Sequence, residues 1–165
     1  MQTDNRYNLF MKLIDVFDLG CKYVNDYNAL LHDYNGTILY QAESQFINKI
    51  GMNPGITITE LSLIYEKSVS ACSQLMRRMK DKGWIYQQRN ETNNREYKLY
   101  LTKEGEAIYH AHLRFEEACY RRTYAMLDGF SEEQLQKYVE IQEQLNTSFL
   151  LDVEESRSIS GYSLD

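Results

Sequence analysis

The spacing of the apolar residues changes from helical to alternating at Gly83, and that change limits the fold more than any other feature. Before it the period is helical. Leu9, Leu13, Phe17, Cys21 and Val24 recur at steps of three and four and continue through Tyr27 and Leu31, which predicts one long amphipathic helix. "YNGT" (34–37) breaks it, and a shorter helix carries Leu39, Glu43, Phe46, Ile47 and Ile50. "GMNPG" (51–55), with the chain's one proline, is a turn signal. Thr57 and Glu60 have the spacing of a capping box, opening a short helix whose inner side is Leu61 and Ile64. After the tight connection 66–68, Ser68 can cap another helix. There Cys72, Leu75, Met76 and Met79 fall at i, i+3, i+4 and i+7, so they form the core stripe and leave Ser70, Ser73, Gln74 and Arg77 outward. Two short helices so closely joined suggest a helix-turn-helix.

Past Gly83 the period is two. "WIYQQR" (84–89) and "REYKLYLT" (95–102) read as strands, with "NETNN" (90–94) as a polar hairpin tip. Thr102 then caps a long helix to about Leu127, and "DGF" (128–130) ends it. Ser131 with Gln134 is a second capping box, opening a last helix with Leu135, Tyr138, Ile141, Leu145 and Phe149 along its apolar stripe. The polar tail 152–165 is expected to be flexible. The 165 residues therefore read as one mainly α domain with a small β-hairpin. Helices from both chain ends keep apolar stripes that a single copy cannot easily cover.

The formal net charge is -6, which taken alone argues against a polyanionic partner. Its distribution argues the other way. Residues 67–98 hold 8 basic and 3 acidic side chains, net +5, between flanks of net -4 (1–66) and -7 (99–165). A basic island on an acidic body points to a local polyanion-binding surface. Catalysis has no support here: there is no Ser/His/Asp order, no catalytic carboxylate pair and no phosphate-binding glycine loop. No cofactor motif is present either. The longest apolar run falls short of a membrane span, and "MQTDNRYNLF" has no basic stretch followed by an apolar core, so a cytoplasmic, membrane-free protein is expected.

Residues 54–106, "PGITITELSLIYEKSVSACSQLMRRMKDKGWIYQQRNETNNREYKLYLTKEGE", resemble the winged-helix core of the MarR family of bacterial transcription regulators. The resemblance rests on an ordered set: "PGIT", Leu61, Ser68, Ser70, Leu75, Lys82-Gly83, Arg89, Arg95 and "LTKEG" (101–105), with Leu39, Glu43 and Ile47 upstream. It implies a winged helix-turn-helix over 38–102, flanked by dimerisation helices at 5–33 and 103–151. It also implies a homodimer on palindromic double-stranded DNA, most often repressing by covering a promoter. The chain departs from the family pattern at three places. Glu66 stands at a usual turn glycine, Val69 at a frequent basic position, and Asn93 at the aspartate that precedes the wing arginine by two.

The candidate DNA contacts are Ser68, Val69, Ser70, Ser73, Gln74, Arg77, Arg78 and Lys82 on and around the second short helix, with Arg89, Asn93, Asn94 and Arg95 on the hairpin. Gln can bond adenine bidentately, Arg guanine, and Ser either. Val69 could touch a thymine methyl or simply pack. A hairpin arginine suits a narrow minor groove, where negative potential is focused. The bland alternative is a solvated helix face and an ordinary hairpin tip.

The sequence also offers candidate sensing residues. Tyr23, Tyr27, Tyr34, Tyr40 and Tyr109 fall on segments that in the family surround a crevice for small aromatic effectors, and they equally fit amphipathic packing at helix interfaces. A metal-responsive reading would use His32, His110, His112 and Glu106; the histidines lack the i,i+4 spacing of helix ligands. A redox-responsive one would use Cys21, placed on the apolar stripe and so expected to be buried, or Cys119, close to Arg121 and Arg122. Cys72 lies on the core stripe. A winged helix that binds protein and no DNA is the remaining alternative.

Overall fold

The computed structural model describes residues 5–34, 36–90 and 96–160. Its elements are α1 (Asn5–Ala29), β1 (Leu31–Tyr34), β2 (Thr37–Tyr40), α2 (Gln41–Met52), α3 (Ile58–Ile64), α4 (Val69–Asp81), β3 (Ile85–Arg89), β4 (Tyr97–Leu101), α5 (Lys103–Met126) and α6 (Glu132–Ser160). The chain divides into two compact units, Met1–Glu117 and Ala118–Asp165.

The core of the first unit is a convergence of short elements. Phe46, Ile47 and Ile50 of α2, Leu61 of α3, Cys72 and Met79 of α4, Ile85 of β3 and Leu99 of β4 are all almost fully buried. Each large side chain removed from water contributes about 1.5–3 kcal/mol. The α4 stripe of Cys72, Leu75, Met76 and Met79 is the set that the i, i+3, i+4, i+7 spacing predicts. Burial pushes the Cys72 thiol pKa up, which makes it a packing residue and a poor nucleophile.

The wing is an antiparallel hairpin in the register Ile85↔Leu101, Gln87↔Leu99 and Arg89↔Tyr97. A third segment, not foreseen in the sequence, joins it. The Gly55 amide donates to the Leu99 carbonyl at 2.8 Å, Leu99 donates back to Ile56 at 3.0 Å, and Thr57 bridges Lys98. The stretch after Pro54 is therefore both a turn and a short edge of the sheet. It fixes where α3 begins.

The expected caps form. The Thr57 amide donates to Glu60 Oε2 at 2.7 Å, and the Glu60 amide donates to Thr57 Oγ1 at 3.2 Å. The Thr57 amide, and the Thr57 hydroxyl that donates to the same Oε2 at 2.8 Å, hold the Glu60 carboxyl below its ordinary pKa. Ser68 Oγ accepts from Ala71 at 3.2 Å, and Ser131 Oγ accepts from Gln134 at 3.3 Å. Thr102 Oγ1 accepts from the Gly105 amide at 3.1 Å and donates to the Gly83 carbonyl at 2.7 Å, so one hydroxyl joins the wing to α5. At Gly105 a Cβ would lie 2.0 Å from the Trp84 carbonyl oxygen, so only glycine allows this approach.

Three expectations need correction. The first helix stops at Ala29 and does not run to residue 33. Leu31–Tyr34 and Thr37–Tyr40 instead pair as an antiparallel hairpin, so Leu39 belongs to a strand and not to the second helix. The alternation explains it: His32, Tyr34 and Leu39 turn inward while Leu31, Asp33, Ile38 and Tyr40 stay exposed. An Asn-Gly pair between such runs is a strong hairpin signal, and Gly36 adopts the φ of +83° that such turns use. At the other end, α6 continues to Ser160, beyond residue 151 where a flexible tail was expected. Finally, Cys21 is exposed in the single chain and not buried, because α1 buries none of its residues there.

The turn between α3 and α4 explains one departure from the family pattern. Two helices end in the same way. At the end of α4, Gly83 donates to Lys80 and Trp84 to Met79, with Gly83 at φ +75°. At the end of α3, Glu66 donates to Leu63 and Lys67 to Ser62, with Glu66 at φ +48°. Both are Schellman endings, and both need a left-handed residue. Glycine adopts that conformation freely, whereas a residue with a Cβ is disfavoured by about 1–2 kcal/mol. Glu66→Gly should raise stability by about 0.5–1 kcal/mol after the extra chain entropy of glycine is counted. Glu66→Ala should give no comparable gain, since it keeps the Cβ. Urea unfolding of both variants checks this.

Candidate nucleic-acid interface

With its stripe buried, α4 has one orientation, and the opposite side chains must face outward. Val69, Ser70, Gln74, Arg77 and Arg78 are exposed, and Ser73 is half-buried. Ser73 Oγ donates to the Val69 carbonyl at 2.7 Å, which uses its proton and leaves its lone pairs for a donor. The Ser68 hydroxyl is occupied as the helix cap, so its first role is to start α4. Among the described residues no carboxylate pairs with Arg77 or Arg78, and Lys80 meets only the Gln87 amide oxygen, at 3.3 Å. The exposed cations of this face therefore stay available to an external anion.

Lys82 has a partner within the fold. Its ammonium lies 2.7 Å from Glu43 Oε1 and 4.4 Å from the Trp84 ring centre. Glu43 is almost fully buried, and its other oxygen accepts from the Tyr40 amide at 3.1 Å. Lys82 thus ties the end of α4 to the start of α2. The two partners lie 39 residues apart, so no local pattern announced the pair.

On the wing, Arg89 is exposed at the end of β3. The ladder continues one step further, where the Asn90 amide donates to the Glu96 carbonyl at 3.0 Å. Asn93, Asn94 and Arg95 lie outside the described residues.

The five tyrosines have different surroundings. Tyr23 and Tyr40 are exposed. Tyr27 packs on His32, with ring centres 4.5 Å apart. Tyr34 is buried in the core and meets His112 edge-on, its hydroxyl 3.0 Å from His112 Nδ1. Tyr109 lies in a separate cleft against the wing. Burial pushes the His112 pKa down, Glu116 at 4.0 Å partly opposes that, and His32 adds to it. His32 and His112 are therefore core histidines within an aromatic cluster. Among the described residues no group of three or more His, Cys, Asp or Glu is arranged to hold a metal. Cys119 is half-buried, with Arg122 Nη2 at 3.9 Å from its sulfur. Among the described residues no helix is long and apolar enough to cross a membrane.

The Glu43–Lys82 pair can be tested by a double-mutant cycle. Lys82→Met leaves a buried carboxylate without its cation and should cost about 2–3 kcal/mol, less than a fully buried pair because the lysine is partly exposed. Glu43→Gln with Lys82→Met should recover a large part of that loss, giving a coupling of about 1 kcal/mol or more in urea unfolding. Additive losses would mean that the two side chains do not act together.

Residues 50–86, which hold α3, α4 and the start of the wing, match the family described as winged helix-turn-helix DNA-binding. No curated protein matches the chain. Among solved structures, FabT of Streptococcus pneumoniae, determined in complex with DNA, is 26% identical, with a TM-score of 0.60 over 90% of this chain and 97% of that one. ZitR of Lactococcus lactis, a zinc-responsive MarR family member, is 12% identical, with a TM-score of 0.72 over 86% and 99%. The transcriptional regulator SlyA is 15% identical, with a TM-score of 0.62 over 87% and 98%. The chain therefore carries a winged helix-turn-helix DNA-binding domain and has, over most of its length, the fold of MarR-family transcription regulators.

Proposed function

We propose that the chain binds operator DNA as a homodimer and regulates transcription, by default as a repressor that covers a promoter. One observation carries the reading: the outward face of α4 presents Ser70, Gln74, Arg77 and Arg78 without a carboxylate partner, in the one basic stretch of an acidic chain. α4 enters the major groove with Gln74 and Arg77 at base edges, Ser70 and Ser73 beside them, Val69 near a thymine methyl and Arg78 at phosphate. The wing, through Arg89, Asn93, Asn94 and Arg95, lies along the minor groove. The complex of FabT with DNA supports this assignment of the head. The protein then works inside the cell, in the cytoplasm, where its operator is.

The dimer is part of the proposal. Leu9 and Val24 of α1 and Tyr138 and Ile141 of α6 are exposed in the single chain, beside half-buried Leu13, Phe17, Leu135, Leu145 and Phe149. Patches of that extent are seldom left open on soluble monomers. A second copy covering them would also fix the separation of the two α4 helices, which a palindrome requires.

Selection of duplexes from a random pool at low salt should return a symmetric consensus with half-sites about 10 bp apart or a multiple of one turn. Affinity should fall with salt at a log–log slope of about -0.9 for each phosphate contacted. Absence of any selected duplex would favour a protein-binding winged helix instead. Gln74→Ala should relax the consensus at one position, at a loss of about 1–3 kcal/mol there, whereas Arg95→Ala should weaken binding chiefly at A/T-rich flanks. Light scattering at micromolar concentration should give twice the 19.5 kDa of one chain, and Leu145→Asp should yield monomers that bind duplex weakly.

A further inference from the structure

Tyr109, separated from the other four tyrosines, lines a cleft of about 360 Å³ whose walls come from three remote segments: the end of α2, the wing and the first half of α5. That volume suits a small organic molecule. Tyr86 and Tyr100 form the wing wall, with ring centres 5.4 Å apart and planes inclined by 21°. They are cross-strand partners, so the register of the hairpin fixes the pair. Tyr109 is pressed against α2: a Cβ at Gly51 would fall 2.7 Å from its ring. Glycine at that position therefore seats the third aromatic wall.

The charges of the cleft have one sign. Glu106, one helical turn before His110, lines it and is exposed, and among the described residues its carboxylate has no ion-pair or side-chain hydrogen-bond partner. No lysine or arginine lines the cavity. Lys98 shares the strand face of Tyr100 but does not line the cavity. Aromatic faces carry partial negative charge and attract cations, most strongly quaternary ammonium groups held among several rings. A carboxylate at the rim adds to that attraction and repels anions.

We propose that this cleft binds a small organic cation, an alkylated or quaternary amine, between Tyr86, Tyr100 and Tyr109 with Glu106 as counter-charge. The ligand sits where the wing meets α5, so its occupancy bears on how the wing is held. The binding step itself does not depend on the DNA reading and is measured without duplex.

The test is calorimetric titration of the full chain with three probes at about pH 8, above the usual imidazole range. They are choline, its uncharged isostere 3,3-dimethylbutan-1-ol, and benzoate. Choline should bind about tenfold more tightly than the isostere, and benzoate should bind least. Glu106→Gln and Tyr86→Leu, both at exposed positions, should each weaken choline about fivefold or more without changing the circular dichroism or the weak affinity for the isostere. The proposal is overturned if choline binds no better than the isostere, if benzoate is preferred, if neither substitution matters, or if no probe binds at tens of millimolar.

Discussion

Burial of Cys72, Leu75, Met76 and Met79 beneath α4 is the constraint on which the rest depends. A helix with one apolar stripe in a packed core has one rotational setting, because turning it by one residue would expose methionine and bury arginine. Once that setting is fixed, the outward positions of Ser70, Gln74, Arg77 and Arg78 follow from helix geometry alone. The polar face is thus positioned by the apolar one, and a side chain can be presented to DNA without a dedicated contact of its own.

The helix must also be fixed along its axis. Its start is set by the Ser68 cap and by the strained left-handed turn at Glu66. Its end is set by Gly83 and by the Lys82 ammonium, which reaches the buried Glu43 and lies over Trp84. Through Thr102 and Gly105 the same junction carries the root of the wing and the start of α5. Reading helix and wing therefore share one anchoring region, and a ligand in the cleft of Tyr86, Tyr100 and Tyr109 would press on that region from outside.

What was legible in the sequence was local. The capping pairs Thr57–Glu60 and Ser131–Gln134, the Ser68 cap, the α4 stripe and the two wing strands all depend on residues a few positions apart, and all of them form. The hairpin at 31–40 was missed because its exposed face carries Leu31, Ile38 and Tyr40, which continue the helical apolar pattern on either side. Asn35-Gly36 was the contrary signal. The site was legible as a basic island but not in its details. The pairing of Lys82 with Glu43, 39 residues away, is not written in any local pattern. The scattering of the five tyrosines and the cleft around Tyr109 depend on tertiary placement, which spacing along the chain does not encode.

The claim that matters most is that the outward face of α4 is the surface that meets DNA. Hydrogen exchange of the full chain, measured with and without duplex at low salt, addresses it directly. Protection on adding duplex is expected in the segment 66–80 and around the wing, with little change along 132–160. Protection confined to the terminal helices, or none at α4 while duplex is bound, would contradict the account.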